Sequence, residues 1–297
     1  MDTLVNAIAA DGTVRVLSAI TTDTVAETIR RHRTSPTATV ALGRVLTGTA
    51  LFAASLKDFD RVTVKFDGGG PLGRVIAEAD AQGAVRGYVY DPTVELPPNA
   101  AGKFDIATAI GRGTLYVIRE SGFELGMGRE PYIGSVPIVS GEVAEDLAFY
   151  LARSEQIPSA VMLGVLVGNR EPYVTAAGGV LIQMLPTAHD HVITMIEDTA
   201  GRAPQVTAMV KDGATPVDLI RTVLGEIDFE VLGEKKVEFR CSCSRERAVA
   251  MVSALGKDEV TKMLEEDGGA KMNCGFCGND HNLDAADLEA ILADSNE

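Results

Sequence analysis

Apolar and polar residues alternate in short runs at the start of the chain. Val5 and Ala7 flank Asn6, and Val14 and Val16 flank Arg15, on either side of Asp11-Gly12. Alternation around such a turn pair predicts a hairpin. A helix is expected from about Thr22 to Arg31. Ser35-Pro36 then opens a second helix, with Ser35 as cap and Pro36 at the first helical position. Its positions Val40, Leu42, Val45, Leu46, Leu51, Phe52 and Leu56 are apolar on most faces, as in a buried central helix. Gly43 and Gly48 would let a neighbour approach it closely.

Period-two patterns dominate from Arg61 to about Pro137. Val62, Val64 and Phe66 lead into Asp67-Gly68-Gly69-Gly70-Pro71, read as a turn; Val75 and Ile76, Val85 to Tyr90, and Thr114 to Ile118 follow as strands. The glycine cluster lacks the Lys-Ser or Lys-Thr of a phosphate loop, so it predicts only a turn. Ser140 is expected to cap a helix running to about Ser154. Val161–Val167 and Tyr173–Gln183 read as strands, the second broken at Ala176-Ala177-Gly178-Gly179. The fold class this implies is α+β. Residues 1–186 form a mixed α/β domain with a largely antiparallel sheet, 187–233 a helical linker and 234–297 a small C-terminal domain. In the linker, 188–199 and 205–211 are helical and Thr215-Pro216-Val217-Asp218 is a capped start. Helices this short are marginal unless docked on something. In the last domain, Arg245–Leu255 and Asp258–Glu266 read as helices divided by Gly256, and Leu283, Leu288, Ile291 and Leu292 as a third helical stripe.

Composition narrows the class. Of the 297 residues 46 % are hydrophobic and 23 % charged, as in an ordinary globular protein. The net charge of -15 argues against a nucleic-acid partner, which needs a basic face. Lys235, Lys236, Arg240, Arg245 and Arg247 do cluster, but Glu234, Glu238 and Glu246 dilute them into a solvated mixed face. No signal peptide or membrane span is evident, and a cytoplasmic protein is expected. His32, His189 and His191 join no recognisable triad, so no catalytic set is expected. His189 and His191, at i and i+2, would not share a helix face, which argues against a second metal site.

The candidate chemistry lies in the last domain. Cys241, Cys243, Cys274 and Cys277 are the chain's four cysteines, arranged as Cys-x-Cys and Cys-x-x-Cys. Two tight pairs can supply four thiolates in a tetrahedron, the donor set of structural Zn2+. A metal held this way contributes about 10–16 kcal/mol to folding, and a module this small needs it. Thiolates are also the oxidisable form. Cys274 can bond Cys277, and Cys241 can bond Cys243 in a tighter ring, so the site has the makings of a switch. Candidate client-binding residues are Val192, Ile193, Ile196, Leu219, Ile220 and Val223 on the linker helices, which ordinary core packing explains equally well. Two other readings are a zinc-ribbon nucleic-acid-binding protein and a thiol-disulfide oxidoreductase using Cys274-Gly275-Phe276-Cys277. The acidic balance opposes the first; the second Cys pair, ready to bind metal, opposes the other.

The cysteine pairs, preceded by Phe239-Arg240 and followed by Ser244-Arg245-Glu246-Arg247, resemble those of the redox-regulated 33-kDa heat-shock chaperone family. So do Arg31-His32 before Pro36, Ala41-Leu42-Gly43-Arg44, Gly69-Gly70-Pro71-Leu72-Gly73, Val85-Arg86-Gly87-Tyr88-Val89, Gly141 to Asp146, Ser154 to Ser159 and Ala176 to Gly179. The resemblance spans residues 1–290. It implies a cytoplasmic, ATP-independent holdase, not an enzyme, whose reduced zinc-bound form is inactive. Oxidation would form the disulfides Cys241–Cys243 and Cys274–Cys277, release zinc and unfold the C-terminal region. The active form would bind unfolded clients and associate as a homodimer. His281 and Leu283 stand where the family usually carries aromatics. With four sulfurs present, His281 is expected to pack or be solvated rather than bind metal.

Overall fold

The computed structural model describes residues 1–55, 61–120, 130–170, 173–186 and 188–294; Leu56 and residue 187 lie outside these. In chain order come β1 (Thr3–Ala9), β2 (Val14–Ile20), α1 (Thr22–His32), α2 (Pro36–Ala53), β3 (Arg61–Gly69), β4 (Arg74–Asp80) and β5 (Ala84–Val89). Next are α3 (Ile106–Ile110), β6 (Gly111–Glu120), β7 (Tyr132–Pro137), α4 (Ala144–Arg153), β8 (Ser159–Val167) and β9 (Val174–Met184). Then follow α5 (Asp190–Arg202), α6 (Val206–Lys211), α7 (Pro216–Leu224), β10 (Phe229–Lys236) and β11 (Glu238–Phe239). The last are α8 (Arg245–Ser253), α9 (Lys257–Glu266), β12 (Gly269–Asn273), β13 (Asp280–Asp284) and α10 (Ala285–Asp294). The class is α+β with antiparallel sheets, as the patterning implies.

Two compact units result, Met1–Arg240 and Cys241–Glu297. In the first, the described strands form one sheet in the order β10-β1-β2-β9-β8 and another in the order β11-β5-β4-β3-β6-β7. Every pairing is antiparallel except the short parallel contact of β11 with β5. Helix α2 packs on strands of both sheets, which explains its all-round apolarity. Only Pro36 and Arg44 of its residues escape full burial. Ser35 caps it by accepting a bond from the Ala38 N–H at 3.2 Å. Gly48 lets α4 approach closely: a β-carbon on it would sit 2.4 Å from Leu147 Cδ1, so that side chain would have to move.

Several local expectations give way to packing. The run Gly68 to Gly70 is not simply a turn, since β3 continues to Gly69; a β-carbon on Gly68 would lie 2.0 Å from the Ile110 carbonyl oxygen. These glycines let β3 pass against the start of β6. Strand β9 runs unbroken through Ala176 to Gly179, because small residues there admit Leu163 and Thr47. Ser140 does not cap α4, which starts at Ala144. The buried Asp146 carboxylate reaches back to accept bonds from the N–H groups of Val139, Ser140, Gly141 and Val143 at 2.8–3.2 Å. That knot holds Val143 at a φ of +71°. Helix α5 runs on through Gly201 to Arg202, past the expected end at residue 199.

Helices α5 to α7 dock on the first unit's own sheet. Val192, Ile196, Leu219, Ile220 and Val223 are buried with Val5, Val14, Val16 and Ile182, and Ile193 packs beside them. A capping box starts α7: Thr215 Oγ1 accepts from the Asp218 N–H, and Asp218 accepts from the Thr215 N–H. The strands β10 and β11 were not expected. Residues 234–240, grouped by sequence with the cysteines, instead complete an edge of each large sheet. The signal is faint: Lys and Glu dominate β10, and its residues beyond Phe229 are exposed.

Candidate metal centre

All four cysteines lie in the second unit. Cys241 follows β11 after one residue, Arg240, and Cys243 precedes Ser244, the N-cap of α8, whose hydroxyl accepts from the Arg247 N–H at 3.3 Å. Arg247 Nη1 also donates to Ser242 Oγ at 2.8 Å, so α8 grips the residue between the two sulfurs. Arg245 pairs with Asp287 of α10, and Asp287 accepts from the Asp284 N–H at 2.9 Å. The guanidinium holds the Asp287 carboxyl below the usual carboxylate range.

Cys274 and Cys277 occupy the turn between β12 and β13. The Cys274 N–H donates to the Asn279 carbonyl at 2.9 Å, and the Gly278 N–H to the Cys274 carbonyl at 2.8 Å. Gly278, at a φ of +71°, closes the knuckle. Asn273 Nδ2 bridges its two sides, donating to the Gly278 carbonyl at 3.1 Å and to Asp280 Oδ1 at 2.8 Å. Sequence reading missed Asn273, since nothing in its spacing distinguishes it from other polar residues, and it placed Arg247 only in a solvated basic cluster and a family motif, not on Ser242. It also assigned Leu283 to a helix, whereas Leu283 lies in β13, 2 % exposed, and fills the module's core.

The sulfurs converge. Cys241 Sγ is 3.7 Å from Cys274 Sγ and Cys243 Sγ 3.4 Å from Cys277 Sγ, and all four lie within 4.8 Å of one another. A cation at about 2.3 Å from four tetrahedral sulfurs would set the sulfur–sulfur edges near 3.8 Å. The donor set therefore fits such an ion, and these four close cysteines could hold one. Burial, then contact with the other thiols, pushes the Cys243 thiol well above its ordinary range; burial likewise raises Cys277. A bound cation reverses that preference, because a coordinating thiol is deprotonated outright.

His281 is outside the cluster. It lies opposite Met272 in the β12–β13 ladder, with Nε2 buried and unpartnered among the described residues. His189 and His191 do come together, with stacked rings 5.7 Å apart, because His189 precedes α5 as its cap and helix-face spacing does not apply. No third ligand joins them among the described residues. No helix of the described residues is long and apolar enough to cross a membrane.

Comparison with known proteins agrees with this geometry. The family model described as Hsp33 protein matches residues 2–284. Proteins named 33 kDa chaperonin from Desulforamulus reducens and Bacillus subtilis are each 44 % identical over 98 % of this chain, covering 97 % and 98 % of their own. A crystal structure of the 33 kDa chaperonin (heat shock protein 33 homolog) from Thermotoga maritima has a TM-score of 0.88 and 36 % identity. It matches over 99 % of this chain and 98 % of that one. The family match takes in both large sheets, the docked helices and all four sulfurs, and the chain belongs to the Hsp33 chaperone family.

Proposed function

We propose that the protein is a redox-regulated, ATP-independent holdase whose reduced form holds Zn2+ through Cys241, Cys243, Cys274 and Cys277. The observation that carries this reading is the meeting of four sulfurs in a unit with a very small apolar core. When bound, the ion supplies a cross-link that fixes the two cysteine turns as one body. Arg247 orients the first turn and Asn273 the second. A peroxide converts Cys241 and Cys243 to one disulfide and Cys274 and Cys277 to another. Each bond consumes one peroxide, takes two electrons from two thiols and yields two waters. The sulfurs so paired no longer form a four-thiolate site, and the module loses its fold.

Apolar surface then becomes available to unfolded clients. Val192, Ile193, Ile196, Leu219, Ile220 and Val223 are the proposed client-binding residues, packed against β1, β2 and β9 until released. The active form is a homodimer, acting in the cytoplasm without chemical turnover. The three-part division into 1–186, 187–233 and 234–297 belongs to this reading: core, releasable helices and switch. Peroxide-treated protein is expected to suppress aggregation of a thermally unfolding client, with reductant reversing the effect. Peptide mapping should find the two disulfides within the pairs. Equal suppression by the reduced, metal-loaded protein would sink the redox reading, and cross-pair links such as Cys241–Cys274 the proposed switch chemistry.

A further inference from the structure

Three of the chain's nine methionines, Met251, Met263 and Met272, fall in the second unit. Met263 of α9 and Met272 of β12 line an open groove of about 590 Å³ with Val252, Leu255, Ala270 and Leu283. Both also pack against the unit's cluster of five buried hydrophobic residues. Ala270 lies opposite Leu283 and Met272 opposite His281 in the β12–β13 ladder, so Met272 shares the strand face of Ala270. Each of these thioethers is half-buried, with solvent on the groove side and the core behind. Met251 differs: it stands on α8 at 67 % exposure. Neither groove methionine belongs to the four-sulfur cluster, so a metal held there would not shield it.

A thioether reacts with the same oxidants as a thiolate and needs no partner residue. One oxygen of a peroxide passes to the sulfur. The O–O bond breaks, an S–O bond forms, the sulfur gives up two electrons and the second oxygen leaves as water. The product is polar where the thioether was apolar. We propose that Met263 and Met272 form a methionine-oxidation site through which a peroxide loosens the second unit independently of its cysteines. A sulfoxide turned toward so small a core is a polar group without a donor, and burying one costs on the order of tenfold in the folding equilibrium. Folding and metal binding are one equilibrium in such a unit, so metal affinity falls by a similar factor. Thiol reductants restore cysteines but not sulfoxides, which need their own reductases. Oxidation at the groove therefore outlasts the return of the thiols. Leucine would fill the same walls without this chemistry.

The test exposes the full-length, Zn2+-loaded protein to excess peroxide, then to a thiol reductant, and returns it to Zn2+. Peptide mapping is expected to find one added oxygen on Met263 and one on Met272. Zn2+ affinity, read by competitive titration, should remain about tenfold below that of untreated protein. Methionine sulfoxide reductases should then restore it. The double variant Met263→Leu/Met272→Leu keeps the apolar volume and removes the reactive sulfurs, so thiol reductant alone should bring it back in full. Met251→Leu, the exposed control, should behave as the parent protein does. Oxygen on Met251 but on neither groove methionine would overturn the assignment. So would full recovery of the parent protein by thiol reductant with both sulfoxides in place, or an equal residual loss in the double leucine variant. The consequence for Zn2+ rests on the four-sulfur reading above and the mapping does not, so the two fail separately.

Discussion

The two units hold themselves together by different means. Among the described residues, Met1–Arg240 has one cluster of forty buried hydrophobic residues around α2 and a second of fifteen under α5 to α7. Cys241–Glu297 has one cluster of five: Val252, Val260, Leu283, Leu288 and Ile291. Fully burying a large aliphatic side chain stabilises by about 1.5–3 kcal/mol, while ordering each residue's backbone costs about 1–2 kcal/mol. Five such side chains in the second unit against fifty-five in the first leave the second with far less burial for each residue it must order, so it leans more heavily on a further cross-link. The difference places any metal dependence in the second unit. On the function proposed above, oxidation would therefore cost structure locally rather than globally.

Metal removal is the strongest way to break this comparison. Stripping the reduced protein with a chelator should remove about 10–16 kcal/mol of apparent binding free energy from the second unit. Amides of 241–294 should then exchange at rates near those of an unfolded chain, while β3, β4 and β6 stay protected. A module that stayed protected without metal would show that its five-residue core suffices, and the contrast between the units would collapse.

A matched pair of cavities sharpens the same contrast. Leu46 in α2 and Leu288 in α10 are 1 % and 0 % exposed. Replacing either with alanine should cost about 2–5 kcal/mol where it sits. Leu46→Ala is expected to lower the main unfolding transition and leave metal affinity alone. Leu288→Ala should leave that transition alone and appear as weakened metal binding, because folding and binding are one equilibrium in the small unit. Denaturant melts paired with competitive metal titrations separate the two outcomes; a shared transition for both variants would contradict the division.

How much of this was legible in the sequence depends on how local the cause is. The β1–β2 turn, the Ser35-Pro36 cap and the Thr215–Asp218 box are set within a few residues, and all three read correctly; the spacing of the cysteines also predicts that their sulfurs can share one place, and they do converge. The failures share a different origin. Gly68 and Gly179 look like turn residues, yet each is small because a distant chain segment passes against it. Asp146 looks like an ordinary helical acid, yet it organises the loop before its helix. Strands β10 and β11 have exposed, charged sequences that carry no period-two signal; pairing with β1 and β5 alone makes them strands. At the cysteine centre the donors were legible and the side chains that aim them were not.

Those aiming side chains supply the smallest and most local test. Burial organises the first unit, but the Cys274–Cys277 knuckle relies on hydrogen bonds, and Asn273 makes two of them across its turn. One such bond contributes about 0.5–1.5 kcal/mol net, so Asn273→Ala should speed metal release by roughly three- to tenfold. Asn273→Asp keeps the shape but offers an acceptor to the Gly278 carbonyl and a like charge to Asp280, so its release should be faster still. The metal-loaded melting of the first unit should not change in either variant. If release were unaltered in both, the knuckle would be held by its backbone bonds alone. Polar wiring would then explain nothing about the second unit that its sulfurs do not already explain.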